Sequence, residues 1–303
     1  MARKNCFTAN KRPLIFGEVL YDCFPDGSRV LGGAPFNVAW HLHGFGLSPL
    51  LLTRIGRDAA GSDVLKNMNA WGMDTRAIQH DTVHPTGTVT IKLHADHNDF
   101  HIAAAQAYDY IDRDTAAVLL NKCEIGLFYH GTLAARSGAS RATLHWLRRE
   151  LEIPTFIDIN LRAPWWQKDD VIGLMQGTQW TKLNEDELHE FVPADMEPAM
   201  AAQKFSAQHQ LDNVVVTRGA HGALLLHDDH VYECPAPPVT RLVDTVGAGD
   251  AFSAVMLLGL TRGWDPQQTL RNAAEFAAAI CNRRGATVSE YAFYEEFINH
   301  WEG

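Results

Sequence analysis

Short apolar runs alternate with amphipathic stretches along most of this chain, and that rhythm restricts the fold more than any other feature. PLIFG (13–17), SPLLLT (48–53), IGLFYHG (125–131), IPTFIDI (153–159), QWTKLN (179–184) and NVVVTRG (213–219) read as strands buried in a parallel sheet. Helical spacing appears near 34–45, 59–71, 137–151, 185–191 and 198–209, and again at 248–262 and 266–281. Strand–helix alternation predicts an α/β fold with a doubly wound, mostly parallel sheet flanked by helices. Two stretches break the rhythm. Residues 19–30 read as a short hairpin turning at PDG, and TGTVTIKLHADHNDFHIA (86–103) carries β-type alternation on both sides of a polar DHND turn. No helical pattern follows either one, so both are expected to form a small β-extension on the core. The expected organisation is a single domain over 13–303. A loose polar lead-in at 1–12, with Arg3, Lys4, Lys11 and Arg12, would precede it.

Composition narrows the function classes. With 46% apolar and 20% charged residues the chain can bury a sizeable core. A net charge of −10 argues against nucleic acid or an anionic membrane as the main partner. A small polyanion is still allowed, because local backbone dipoles can outweigh global charge. The five cysteines are scattered and form no CxxC, as expected for reduced thiols of a cytoplasmic protein. No apolar run reaches the roughly 18 residues of a membrane span, and no signal-peptide core is expected at the N-terminus.

The stretch DTVGAGDAFSAVMLLGL (244–260) places a carboxylate directly after GAG, at the start of an apolar helix. Two readings fit. One is an ordinary glycine-rich turn with Asp250 as a first-turn acid favoured by the helix dipole. The other is an anion site. The unpaired N–H groups of a helix start face outward, and Gly247 and Gly249 would let a phosphate approach without Cβ clashes, with Ala248 between them. Asp250 repels a phosphate, yet it could accept the proton of a hydroxyl attacking the phosphorus beside it. The second reading is phosphoryl transfer to an alcohol.

DTVGAGDAF resembles the C-terminal signature of the PfkB (ribokinase-like) family of carbohydrate kinases. LGGAPFNVAWHLHGFG (31–46), followed by TRIGRDAAG (53–61), resembles the family's N-terminal signature, about 200 residues earlier. Within the family, GEVLYD (17–22), GGAPFNVA (32–39) and DINLRAPWW (158–166) are most similar to fructokinases, although ribokinases, ketodeoxygluconate kinases and other hexose kinases share several of these features. The resemblance implies an α/β core with a small β-sheet lid, here about 19–31 and 86–108.

It also implies roles. Asp22, Gly32, Gly33, Asn37 and Arg162 would form the sugar side, with Asp22 and Asn37 reading hydroxyls, the glycines acting as hinge and close approach, and Arg162 near sugar or phosphates. Asp158 and Asn160 share that last strand end. KLNEDE (182–187) resembles an N-x-x-E motif, with Asn184 near the nucleotide and Glu187 holding Mg²⁺ through water; a helix start rich in acids is the plainer reading. TRGAHGALL (217–225) would bring Thr217, Arg218 and Gly219 to the nucleotide, with Gly222 serving the turn. Asn272 would flank the adenine. Asp244 and the loop around Gly285 would lodge a monovalent cation such as K⁺, as in some members. The implied activity is transfer of the γ-phosphoryl group of MgATP to a primary hydroxyl of a monosaccharide, fructose first. Asp250 would be the general base and the 247–250 backbone the anion hole. The alternatives are a kinase of another sugar and a sugar-binding regulator of the same fold. Dimerisation through the lid is a further expectation, since an open small sheet has free edges.

Other signals fail. GRDAAGS (56–62) lacks the lysine of a P-loop, GEVLYD lacks the G-x-G-x-x-G of a dinucleotide site, and DHNDF (96–100) lacks the glycine and closing glutamate of a calcium loop. His41 and His43, and His94 and His97, have no Cys or His partners at ligand spacing.

Overall fold

In the computed structural model, which describes residues 11–93, 98–239 and 241–303, each apolar run singled out above is a strand. The strands are β1 (Arg12–Phe16), β2 (Leu20–Cys23), β3 (Arg29–Gly32), β4 (Leu50–Gly56), β5 (Ile78–Asp81), β6 (Gly87–Leu93) and β7 (Asn98–Ile102). They continue with β8 (Ile125–His130), β9 (Thr155–Asp158), β10 (Trp180–Asn184), β11 (Asn213–Thr217), β12 (Ala223–His227) and β13 (His230–Cys234). The helices used below are α1 (Ala34–Gly44), α2 (Ala59–Trp71), α3 (Arg113–Leu119), α4 (Gly138–Leu151), α5 (Lys168–Met175), α6 (Glu185–His189), α7 (Pro198–His209), α8 (Ala248–Arg262), α9 (Pro266–Cys281) and α10 (Tyr291–Glu302).

The large sheet runs β13-β12-β11-β10-β9-β8-β1-β4-β5. From β5 to β11 every pairing is parallel, and only β12 and β13 are antiparallel. Alternate residues of one strand go to opposite cores. Ile15 packs with α1, α8 and α9, while Leu14 and Phe16 pack with α4, α5 and α7. That two-sided burial is why the strands are apolar at consecutive positions. The chain steps from β1 toward β4 on one side and later returns to place β8 on the other. The strand order therefore reverses beside β1, and ligands of such sheets bind at the carboxyl ends of the strands around that point.

The second sheet has the order β3-β2-β6-β7, with β2 and β6 parallel and the two outer pairings antiparallel. It is built from the two stretches that broke the strand–helix rhythm. Tyr21 of β2 ties it to α2, donating from its hydroxyl to Asp63 Oδ2 at 2.7 Å. The DHND turn, with His94 and His97, lies wholly or partly outside the described residues.

The lead-in expected at 1–12 ends sooner than its charge suggests. Arg12 is the first residue of β1, its N–H donates to Glu124 O at 2.8 Å, and its guanidinium meets Asp74 at 2.9 Å and Ser48 O at 2.6 Å. Pro13 favours an extended residue before it, so the strand can begin on a charged side chain whose head is paired. Residues 1–10 lie outside the described part.

Helix α1 is buried on nearly every side; among its eleven residues only His43 is not buried. His41 Nε2 donates to Ala286 O at 2.9 Å, its Nδ1 lies 3.0 Å from Tyr294 Oη, and burial pushes its pKa down to about 4. It is a core histidine. Among the described residues, no cluster of His, Cys, Asp or Glu could hold a metal, and no helix is long and apolar enough to cross a membrane.

Candidate active site

The first turn of α8 starts from Gly247, whose φ of 80° is left-handed. A side chain there would be strained by the backbone alone, and its Cβ would lie 2.3 Å from Ala286 Cβ. At Gly249 the backbone itself lies close to a charge: a Cβ there would stand 3.4 Å from Lys182 Nζ. Ala248 N–H donates to Thr245 O and Ala251 N–H to Gly247 O. The amides of Gly249 and Asp250 have no acceptor among the described residues, so this turn has the free N–H groups and dipole end with which a helix start can bind an anion.

Asp250 follows at once, half-buried. Its Oδ2 accepts from Asn37 Nδ2 at 2.7 Å, a bond joining positions 213 apart in sequence. Burial raises its pKa; the Asn37 hydrogen bond opposes the rise, Asp158 adds to it, and Lys182 and Arg162 oppose it. A base poised above the ordinary aspartate range accepts a proton more readily near neutrality.

Asn37 reaches Asp250 because α1 and α8 pack together, and it is buried. Its Oδ1 has no partner among the described residues. Gly32 lies between Asn37 and Asp22, its notional Cβ 3.9 Å from Asn37 Oδ1 and 3.8 Å from Asp22 Oδ2. Gly33 has a φ of 108°, and a Cβ there would press to 2.8 Å from Glu18 O. Asp22, Gly32, Gly33, Asn37 and Asp250 thus share one corner. Burial lifts the Asp22 pKa to about 6, opposed by Arg162. Arg162 is exposed, and among the described residues its guanidinium makes no ion pair. Its charge acts on Asp22, Glu18 and Asp250 alike.

At the end of β10, Asn184 and Glu187 form a reciprocal capping box on α6: Glu187 N–H donates to Asn184 Oδ1 at 2.8 Å, and Asn184 N–H to Glu187 Oε2 at 2.9 Å. Glu187 Oε1 accepts from Leu161 N–H at 2.7 Å, tying the turn to the segment after β9. Burial raises the Glu187 pKa, with Asp158 adding to the rise. Both carboxylate oxygens already serve as acceptors. The donor set fits a metal held through water and does not fit a cage that replaces the hydration shell.

Thr217 ends β11, half-buried, and Gly219 beyond it has a φ of 52° with open space where a side chain would stand. Arg218 is committed elsewhere, its guanidinium paired with Glu233 of β13 at 3.0 Å. Gly222 serves the turn: a Cβ there would fall 2.0 Å from Cys234 O. Asn272 is buried in α9, and its Nδ2 has no partner among the described residues. Asp244 and Gly285 do meet, through Gly285 N–H and Asp244 Oδ2 at 3.2 Å.

Two features escaped the residue-by-residue reading. Glu18, directly after β1, is buried with Oε2 unpartnered, and burial pushes its pKa to about 7, opposed by Arg162 and raised further by Asp250. A buried ion pair, Lys182 Nζ to Asp158 Oδ2 at 2.7 Å, lies under the first turn of α8, where Ser253 Oγ also donates to Asp158 Oδ2 at 2.8 Å. The available signal was a charged residue within an apolar strand, as Lys182 in β10, or just past its end, as Glu18 after β1.

Comparison with known proteins settles the family. The model of the pfkB family carbohydrate kinases matches residues 16–291. The chain belongs to that family. This pfkB kinase is 28% identical over 289 residues to a fructokinase of Klebsiella pneumoniae, covering 89% of this chain and 91% of the relative. Its fold matches the ATP-bound fructokinase of Xylella fastidiosa with a TM-score of 0.83 at 20% identity, over 96% of this chain and 99% of the other. It also matches the 2-dehydro-3-deoxygluconokinase of Thermotoga maritima, with a TM-score of 0.80 at 18% identity, over 97% and 100% of the two chains. The protein is a sugar kinase with the two-sheet architecture expected from its sequence.

Proposed function

We propose that this kinase transfers the γ-phosphoryl group of MgATP to a primary hydroxyl of a monosaccharide, with fructose the first candidate. The observation that carries the reading is the Asn37–Asp250 hydrogen bond. It joins the corner formed by Asp22, Gly32, Gly33 and Asn37 to the anion-binding turn at Gly247–Asp250. A hydroxyl held beside Asp250 gives up its proton to that carboxylate as its oxygen bonds to phosphorus. The bond from phosphorus to the bridging oxygen of ADP breaks, and that oxygen keeps the electron pair. The free amides of Gly249 and Asp250 stabilise charge on the group in transfer. Thr217 and Gly219 flank the nucleotide side, and Asn272 the adenine. Magnesium would neutralise phosphate charge, held through water near Glu187; Asp244 and the Gly285 loop would take K⁺. The second sheet acts as a lid that excludes water over the sugar.

A second substrate reading has its own support. The guanidinium of Arg162, without an ion pair among the described residues and acting electrostatically on Asp22 and Glu18, suits an acidic sugar such as ketodeoxygluconate. ADP release with MgATP and a panel of fructose, ribose, glucose, mannose and ketodeoxygluconate separates the two. Release with fructose supports the first reading and release with ketodeoxygluconate the second. No release from folded protein, joined to thermal stabilisation by one of the sugars, would mark a sugar-binding regulator instead.

A further inference from the structure

We infer that Lys182 is a further catalytic residue: its ammonium contacts the γ-phosphoryl group and follows it through transfer. This rests on the phosphotransferase reading above. Lys182 is buried in the middle of β10, and Asp158 beside it, the last residue of β9, holds its Nζ at 2.7 Å. Nζ stands 3.4 Å from the point where a side chain on Gly249 would begin. The bare glycine therefore leaves the ammonium next to the free amides of the anion-binding turn. Ser253 Oγ donates to the same Asp158 Oδ2 at 2.8 Å and lies 3.0 Å from Gly249 O, so the pair is fastened to the same helical turn.

A buried ion pair adds little to stability over an uncharged pair of similar shape, because desolvation offsets the attraction. The position of this one supplies the reason for it. A positive charge fixed beside the phosphoryl group costs no reorganisation during transfer, while Asp250 takes the proton of the sugar hydroxyl.

The alternative is that Lys182 only neutralises Asp158. Lys182→Met would then fail by stranding a buried carboxylate, and the double variant Lys182→Met/Asp158→Asn, which removes both charges, would recover. Both variants and the unmodified protein are to be compared in two measurements. Calorimetric titration with ADP and with a non-hydrolysable ATP analogue reads γ-phosphoryl recognition without turnover. ADP release with the sugar accepted by the unmodified protein reads the chemistry. We expect the folded double variant to keep its ADP affinity, to lose its preference for the ATP analogue over ADP by about 10-fold or more, and to turn over about 10- to 100-fold more slowly, as for one lost charge-assisted hydrogen bond. A double variant with the original preference and turnover overturns the role of Lys182 alone. An unmodified protein that binds neither nucleotide and phosphorylates no sugar overturns the phosphotransferase reading and this role with it.

Discussion

Glu18→Gln offers a test of the site's electrostatics that needs no substrate. Glu18 is 3% exposed, and burial moves its pKa from 4.5 to about 7, with Asp250 adding to the rise and Arg162 and Arg136 opposing it. Between those two values the folded chain holds a proton that the unfolded chain has released. Folding is therefore favoured at the acid end of the window, and stability falls as pH rises toward and through 7. At about 1.4 kcal/mol for each tenfold change, the full interval corresponds to about 3 kcal/mol. Roughly 2–3 kcal/mol of it is lost between about pH 5 and pH 8. Glutamine has no such proton to lose. Urea unfolding of both proteins at pH 5 and pH 8, without nucleotide or sugar, isolates this contribution, because other titrating groups act in both. The expected result is a variant that gains on the parent as pH rises, by about 2 kcal/mol or more at the upper end. Parallel stability curves across that range would refute the reasoning, since they would mean that Glu18 is solvated in the native state.

Asp250→Asn should lower turnover by roughly 10²–10⁴-fold, the usual range for a lost general base, with an unchanged far-ultraviolet circular dichroism spectrum; near-normal ADP release removes Asp250 from that role. Gly247→Ala places a Cβ 2.3 Å from Ala286 Cβ at a φ of 80°, and should cost about 1–3 kcal/mol in urea unfolding; a smaller loss would show that the turn relaxes freely. Asn184→Ala removes the cap of α6 and should cost about 1 kcal/mol in the same assay, an amount that a solvent-facing asparagine would not produce.

The core strands were legible because burial on both faces writes itself as consecutive apolar residues, as in Val214–Val215–Val216. Strand β5, Ile78–Asp81, was not, because it buries Gln79 and Asp81. Gln79 is satisfied by Asp112, accepting from its N–H at 2.7 Å and donating to its O at 2.8 Å, and these partners are 33 positions away. Helix α10 was missed for a related reason. Its aromatic residues pack into a cluster with Phe45 and Phe276 that exists only once the fold has formed. In the site, motif spacing located Asp22, Asn37 and Asp250, but it said nothing of which donor each would meet. The Asn37–Asp250 bond depends on how α1 packs on α8, and no local pattern records that packing.

Several polar atoms remain unpaired where these elements converge. Glu18 Oε2, Asn37 Oδ1 and Asp158 Oδ1 are buried without a partner, and burial raises the pKa values of Glu18, Asp22 and Asp250. A chain selected for stability alone would remove such groups, since each unsatisfied buried polar atom costs about 1–3 kcal/mol. They are tolerated just past the carboxyl end of β1, at that of β9 and in the first turn of α1, while apolar cores lie on both sides of the sheet. The arrangement favours a ligand whose hydroxyl groups can both donate and accept, because carboxylates and the amide oxygen of Asn37 need donors. A polyol supplies several such donors at fixed spacing, which an apolar ligand cannot. The same deficit predicts that a bound substrate sugar stabilises the fold by satisfying atoms that the protein leaves unpaired.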